Sequence, residues 1–316
     1  MTISAILERR RLRRRLTWWR AVTLILVAVV ILGGYRFIMG PDAARVLTRP
    51  HIAELTISGM IVDDPALLQK IEDIGDDTRV KALIVSLSTG GGSTYGGERI
   101  YKALRAVAEK KPVVADIRTE AASAGYMIAL AGDRIFAGET SITGSIGVLF
   151  MYPQAKELLD KIGVTMGTVK SAPMKAEPLP FDAATPQVRA MLGSVVSDSY
   201  NWFVDLVAER RDMPREKALA LADGRIVTGR QAVEDGLIDA VGGQKDILAY
   251  LHERDVPENL DIESWDDINN DGFDLNMANA AVFLLQKAGL GSLVGEYPGK
   301  GAGFVDGLVS VWQNNW

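Results

Sequence analysis

Apolar and polar positions along the chain change period repeatedly, and each change marks an element. His51 to Ile61 alternates as a half-buried strand does, with Gly59 and Asp63-Asp64-Pro65 closing it. Ala66 to Ile74 is amphipathic and helical. Lys81 to Leu87 is a continuous apolar run, the mark of a strand covered on both faces. It enters Ser88-Thr89-Gly90-Gly91-Gly92-Ser93 and then a helix from about Tyr95 to Lys110. Pro112 to Ile117 reads as a buried strand, Ala121 to Ala131 as a helix of small residues, and Arg134 to Ala137 as a short strand. A helix over Tyr152–Ile162, a strand over Val164–Val169 and a proline-broken loop over Lys170–Pro178 follow. The longest helix of this body is predicted over Thr185–Arg211, with Pro186 suited to its first turn. Shorter helices are expected near 214–222, 228–236 and 243–253. Alternating strands and helices predict an α/β fold with a largely parallel sheet.

Both ends depart from this texture. The first twenty residues carry seven arginines (positions 9, 10, 11, 13, 14, 15 and 20) against Glu8, and an apolar run from Ala21 to Tyr35 follows. As a helix, Trp18 to Met39 would reach about 33 Å, enough for a hydrocarbon core of roughly 30 Å. The expected layout is a basic cytoplasmic segment (1–17), an uncleaved transmembrane anchor (18–40), a linker (41–50), and a body (51–260) on the other side of the membrane. A nucleic-acid role for the arginines is disfavoured, because a spanning segment follows at once and the rest of the chain is acidic. Residues 261–316 form a C-terminal extension. Its Asp266-Asp267-Ile268-Asn269-Asn270-Asp271 run lacks the ligand spacing of a calcium loop. The apolar stretch Ala280–Leu285 and the glycine-rich end are open to an oligomer contact or a surface-lying role.

Composition narrows the chemistry. There is no cysteine, which removes disulfides, thiol nucleophiles and thiolate metal sites. Of the two histidines, His51 follows the membrane-proximal segment and His252 sits in a charged helix, so neither suits a triad or a metal cluster. Gly90-Gly91-Gly92 lacks the spacing of a phosphate loop. Its glycines fit either a tight strand-to-helix turn or an oxyanion hole, where backbone N–H groups approach a carbonyl oxygen. Ser123, at the turn into the small-residue helix, fits either a helix cap or a nucleophile beside unpaired N–H groups. A serine nucleophile in this chain would rely on a lysine or a carboxylate. Lysine as a base near neutral pH needs its pKa lowered by roughly three units, about 4 kcal/mol of bias against the charged form. Lys175 lies among Pro173, Met174 and Ala176, with Glu177 as a neighbour that would oppose the shift; Lys170 competes with it.

The motifs, in order, resemble the signal peptide peptidase A family, short form. Ser88-Thr89-Gly90-Gly91-Gly92 is similar to the family's Ser-Pro-Gly-Gly loop, with Thr89 in place of proline. Ala121-Ala122-Ser123-Ala124-Gly125-Tyr126 is similar to Ala-Ala-Ser-Gly-Gly-Tyr, and Thr143-Gly144-Ser145-Ile146-Gly147 matches Thr-Gly-Ser-Ile-Gly. Lys170-Ser171-Ala172-Pro173-Met174-Lys175 resembles Lys-Ser-Gly-x-x-Lys. Arg225–Ala232 and Gly236-Leu237-Ile238-Asp239 fit the family's C-terminal patterns. The resemblance covers residues 50–255 and implies a Clp-protease/crotonase-like fold and a Ser-Lys peptidase. By position, Ser123 is then the nucleophile, Lys175 the base and Ser145 the holder of the lysine. Gly91 and Ala124 supply the oxyanion N–H groups. The Ala124 methyl is expected to narrow the cleft, and Thr89 to loosen the loop. No cofactor is implied. Substrates would be remnant signal peptides or other apolar membrane-derived peptides, and the assembly a ring-like homo-oligomer. The competing readings are a stomatin-directed protease of the same fold, a crotonase-type acyl-CoA enzyme and an inactive scaffold.

Overall fold

The computed structural model describes residues 49–266, together with Trp18, Trp19, Val22, Thr23 and Leu26 and the strand Val309–Val311. The basic segment 1–17, most of the expected anchor and linker, and the extension from 267 to 308 lie outside the described residues. Among the described residues, no helix is long and apolar enough to cross a membrane. Residues 1–50 and 51–316 are separate compact units.

The second unit is a mixed α/β body on one sheet. Strands β1 (His51–Ile61) and β2 (Val80–Ser93) are parallel and joined by helix α1 (Pro65–Asp76). The Asp64 carboxylate caps α1, accepting the N–H of Ala66 at 3.0 Å and of Leu67 at 3.3 Å. Helix α2 (Thr94–Ala108) leads to β3 (Val113–Ala122), parallel to β2. Then come α3 (Ala124–Ala129), β4 (Arg134–Ala137) and β5 (Ile142–Gly144). The chain continues through α4 (Lys156–Lys161), α5 (Pro186–Arg210) and α6 (Arg215–Leu221) to β6 (Ile226–Thr228) and α7 (Gly229–Asp235). It closes with β7 (Ala240–Val241), α8 (Gln244–His252), β8 (Ile262–Ser264) and β9 (Val309–Val311). The sheet runs β6-β5-β3-β2-β1-β8, with β4 and β7 branching from β3 and β9 on β2. The β5–β6 and β2–β9 pairs are antiparallel; the others are parallel.

Burial explains the uninterrupted apolar run of β2. Leu83, Val85 and Leu87 face a core with α1, α2, α3 and α5, whereas Ala82 and Ile84 face a second core capped by Ile247, Tyr250 and Leu251 of α8. Helix α3 is buried along its whole length, which its alanines and glycine permit. Tyr126 is fully buried, contributing about 2–3 kcal/mol by its apolar area. Its hydroxyl donates to the Leu237 carbonyl at 2.7 Å, and burial pushes its phenol pKa up.

Three expected elements differ. Val164–Val169 forms no strand: it is exposed throughout and pairs with none of the described strands. The helix expected over 152–162 contracts to α4, because the Ala155 N–H is taken by the Pro180 carbonyl at 2.6 Å. The small-residue helix starts later than Ala121, since β3 keeps pairing with β5 up to Ala122. The sheet also takes in residues 262–264, beyond the apolar pattern of the body.

Candidate active site

Ser123 stands alone between strand and helix. Its backbone has φ 58° and ψ −116°, a conformation that costs a non-glycine residue about 1–3 kcal/mol and persists only where surroundings enforce it. The enforcing contacts are visible. The Ser123 N–H donates to the Gly144 carbonyl at 2.9 Å, and the Ser123 carbonyl accepts the Met127 N–H at 3.0 Å. One strand over, the Thr143 hydroxyl donates to the Ala121 carbonyl at 2.7 Å. The far end of α3 is held by two arginines. Arg105 donates to the Ala131 carbonyl at 2.9 Å; Arg210 donates to those of Leu130 at 2.8 Å and Gly132 at 3.1 Å. These cations lie where helix carbonyls are unpaired, so they stabilise α3 and with it the turn at Ser123.

The Thr-Gly-Ser motif supplies the second serine. Ser145 also has a left-handed backbone, φ 50°, following Gly144 at φ 86°. Its N–H donates to the Arg225 carbonyl at 2.7 Å, while Gly144 pairs with Ile226 of β6. Ser123 and Ser145 line one cavity of about 400 Å³. Ile146, Val148 and Leu149 are the larger aliphatic residues of its lining, which also includes Tyr200, Ala222 and Asp223. The Tyr200 hydroxyl donates to the Ala222 carbonyl at 2.7 Å, tying α5 to the turn before β6. Arg225 is paired with Asp223 and holds that carboxyl below its usual range. Tyr200 and Ala222–Gly224 were not among the sequence candidates. The only signal near them is the adjoining Arg225–Ala232 motif.

The glycine loop is tighter than expected. Gly91 has φ 109°, open to glycine and strained for other residues. A Cβ on Gly92 would lie 2.0 Å from the Ile61 carbonyl oxygen, so only glycine fits there. Thr89 pins this loop rather than loosening it. Its hydroxyl donates to the Gly59 carbonyl at 2.5 Å and accepts the Gly91 N–H at 3.1 Å. The Ala124 methyl does not face the cleft as anticipated. Ala124 is fully buried, and its Cβ lies 3.2 Å from where a Cβ on Gly97 would be, so the missing side chain of Gly97 makes its room.

Lys175 sits in an exposed turn, its N–H donating to the Ala172 carbonyl at 3.1 Å, and it is not among the residues lining the Ser123 cavity. Lys170 forms a close ion pair with Glu177, and this pairing holds the Glu177 carboxyl below its usual range. Glu177 is thereby engaged with Lys170, the competing lysine. His51 is fully buried, its Nε2 accepting from the Trp265 indole at 3.1 Å, which gives it a place in packing between β1 and the end of β8. Among the described residues no group of acidic or histidine side chains could hold a metal ion.

Comparison with known proteins fits this geometry. The model of peptidase family S49 matches residues 105–256. A Synechocystis protein named as a protease is 37% identical over 202 residues, 63% of this chain and 72% of that protein. An Enterococcus faecium protein bearing the name signal peptide peptidase SppA is 30% identical over 277 residues, covering 83% and 76% of the two chains. The chloroplastic serine protease SPPA of Arabidopsis thaliana is 31% identical over 65% of this chain, which spans 31% of that longer protein. The chain belongs to peptidase family S49, the serine peptidases of signal peptide peptidase A type.

Proposed function

We propose that this serine peptidase cleaves peptides with a Ser123–Lys175 dyad. The observation that carries the reading is the left-handed Ser123, held between β3 and α3 and lining a cavity with Ser145. In the reaction, neutral Lys175 accepts the Ser123 proton as Oγ attacks a peptide carbonyl. The N–H groups of Gly91 and Ala124 stabilise the oxyanion; Ser145 positions the lysine Nζ. Lys175 then protonates the leaving amine, and water releases the acyl group by the reverse sequence. The apolar wall at Ile146, Val148 and Leu149 suits apolar substrate side chains. This favours remnant signal peptides or similar membrane-derived segments, with residues 18–40 anchoring the enzyme in the bacterial cytoplasmic membrane and its body outside the cytoplasm.

The exposed position of Lys175 is met by assembly. The arm that bears it exposes Met151, Leu158, Ile162, Met166 and Met174, a set that water disfavours and a second copy would bury. In the ring-like homo-oligomer a neighbouring copy supplies Lys175 to Ser123. The test is labelling of the full-length chain with a fluorophosphonate across pH. Labelling is expected in the wild type and absent in Ser123→Ala. In Lys175→Ala it should fall by at least a hundredfold, the scale of losing a general base. Equal labelling of wild type and Ser123→Ala would remove the reading.

A further inference from the structure

The turn from Ala222 to Arg225, between α6 and β6, holds the second serine and also brings a charge to the cavity. Tyr200 of α5 fixes its start by donating to the Ala222 carbonyl at 2.7 Å. Gly224, at φ 84°, reverses the chain, and the Arg225 carbonyl then accepts the Ser145 N–H at 2.7 Å. The Asp223 carboxylate closes the turn by accepting the Arg225 N–H at 3.1 Å. It takes the side chain of the same arginine as well: Nε donates to its two oxygens at 2.9 and 2.7 Å, and Nη2 makes a closer contact. Among the residues that line the Ser123–Ser145 cavity, Asp223 is the one carboxylate, and no lysine, arginine or histidine stands with it. Asp235 is the other acid that acts on Arg225.

A carboxylate in that place works against the chemistry. Lys175 is a base only when neutral, and an unpaired negative charge beside Nζ would stabilise the ammonium form. Swinging Asp223 away from the cavity is not open to the fold, because its Oδ1 builds the turn whose last residue holds Ser145. We propose that Arg225 is an electrostatic positioning residue: its side chain cancels the Asp223 charge at the cavity while its backbone carbonyl holds Ser145. One residue thereby sets both the charge that the lysine meets and the hydroxyl that positions it. This inference rests on the proposed Ser123–Lys175 dyad, with Lys175 delivered into this cavity. The Arg225 side chain is 67% exposed, so replacing it opens no hole in the core. An ion pair so exposed adds little to stability, and its effect is felt at the cavity instead.

The experiment labels the full chain in detergent with a fluorophosphonate across pH at low salt, and reads the pH at which the rate is half its maximum. With Lys175 as the base, the rate rises with pH as the ammonium loses its proton. Arg225→Gln leaves Asp223 unpaired and should move this midpoint up by roughly half a pH unit, so that labelling below the midpoint falls about threefold. Asp223→Asn keeps an oxygen for the Arg225 N–H and leaves the guanidinium unpaired; its midpoint should move down by a similar amount. Asp223→Asn/Arg225→Gln, with both charges gone, should return the midpoint to that of the wild type. Salt at about 1 M should shrink both single shifts. Slower labelling without the opposite shifts would show that the pair only shapes the turn, and shifts indifferent to salt would show a rearranged turn; either overturns the inference. Should Arg225→Gln fail to fold, the downward shift of Asp223→Asn decides alone. Lys175→Ala separates the two levels. If it labels with the wild-type midpoint, the dyad falls and the inference with it. If it loses the rising limb while the Asp223 and Arg225 variants keep the wild-type midpoint, the dyad stands and the inference falls.

Discussion

Replacing Thr89 by valine tests whether the oxyanion loop stores stability at the expense of reactivity. The substitution keeps the shape and removes a hydroxyl that makes two hydrogen bonds, to the Gly59 carbonyl at 2.5 Å and from the Gly91 N–H at 3.1 Å. The two losses are unequal. Gly59 is exposed, so water takes over its carbonyl and the net cost is about 0.5–1.5 kcal/mol. Gly91 is buried, and leaving its N–H without the hydroxyl costs about 1–3 kcal/mol. Urea unfolding should therefore place Thr89→Val roughly 2 kcal/mol below the wild type, with an unchanged denaturant slope. In the reaction the sign reverses. An oxyanion that binds the Gly91 N–H no longer competes with Thr89, and a gain of about 1 kcal/mol is a factor of about five in the phosphonylation rate. Thr89→Ser is the control: it keeps the hydroxyl and loses the methyl that packs on Gly125, where an added Cβ would meet Thr89 Cγ2 at 2.8 Å. A valine variant as stable as the wild type would mean that the bonds do not form in solution. A valine variant slower than the serine variant would mean that the hydroxyl holds the loop in its reactive shape, and the reasoning would fail.

Equimolar Ser123→Ala and Lys175→Ala chains, inactive apart, should recover peptidase activity when unfolded and reassembled together; silence of the mixture would exclude the shared site. Gly92→Ala should destabilise the fold by about 3 kcal/mol or more or prevent folding, because the contact at 2.0 Å is with backbone. Gly193→Ala, exposed within α5 with nothing near its added Cβ, should instead stabilise by about 0.5–1 kcal/mol, both read by thermal unfolding. Asp116 is buried, and burial raises its carboxyl pKa against the opposing pull of Arg118, its partner at 2.9 Å. An acid raised on folding is cost-free while protonated, below its unfolded pKa, and costs stability as pH rises through its folded value. Asp116→Asn should then unfold at a higher temperature than the wild type at pH 7, with the advantage gone at pH 3; an equal advantage at both would show that charge burial is not the cause.

What the sequence discloses depends on how local the cause is. The run Lys81–Leu87 announces a two-faced strand because both faces are filled by apolar partners, and the cores on either side bear this out. The serine turn is legible because a strand needs β-formers and a buried short helix needs small residues, and the two patterns collide at Ser123. Its left-handed backbone is less so, being imposed by Gly144 and Thr143 from a different strand. Tyr200 and Asp223 reach the cavity only through the packing of α5 and the turn before β6, and nothing in their own neighbourhood marks them. Strand β9 is three residues in a glycine-rich tail. Its pairing is dictated by the edge that β3 leaves open, not by any alternation of its own. The strand expected at Val164–Val169 is the converse case, since β-forming residues make no strand where none of the described strands pairs with them.

The two halves of the proposed dyad differ in mechanical standing, and this difference has a consequence for how activity is controlled. Ser123 is fixed by β5 beside it, by α3 behind it and by Arg105 and Arg210 at the far end of that helix. The lysine arm has few such ties: the Ala155–Pro180 backbone bond, the Lys170–Glu177 pair, and the Leu179 N–H on the Glu177 carboxylate at 3.2 Å. These ties run within the arm and none reaches the Ser123 turn, whereas a misplacement of about 1 Å is enough to cost a base its catalytic effect. A folded single copy would thus carry a rigid nucleophile and an unplaced base. Lowering a lysine pKa also requires removal from water, which an exposed turn cannot provide and a contact between copies can. In the proposed ring, assembly would do three jobs at once: bury the apolar arm, place Nζ, and remove it from water. If the proposed ring holds, a chain released from it is expected to stay folded and to lack peptidase activity.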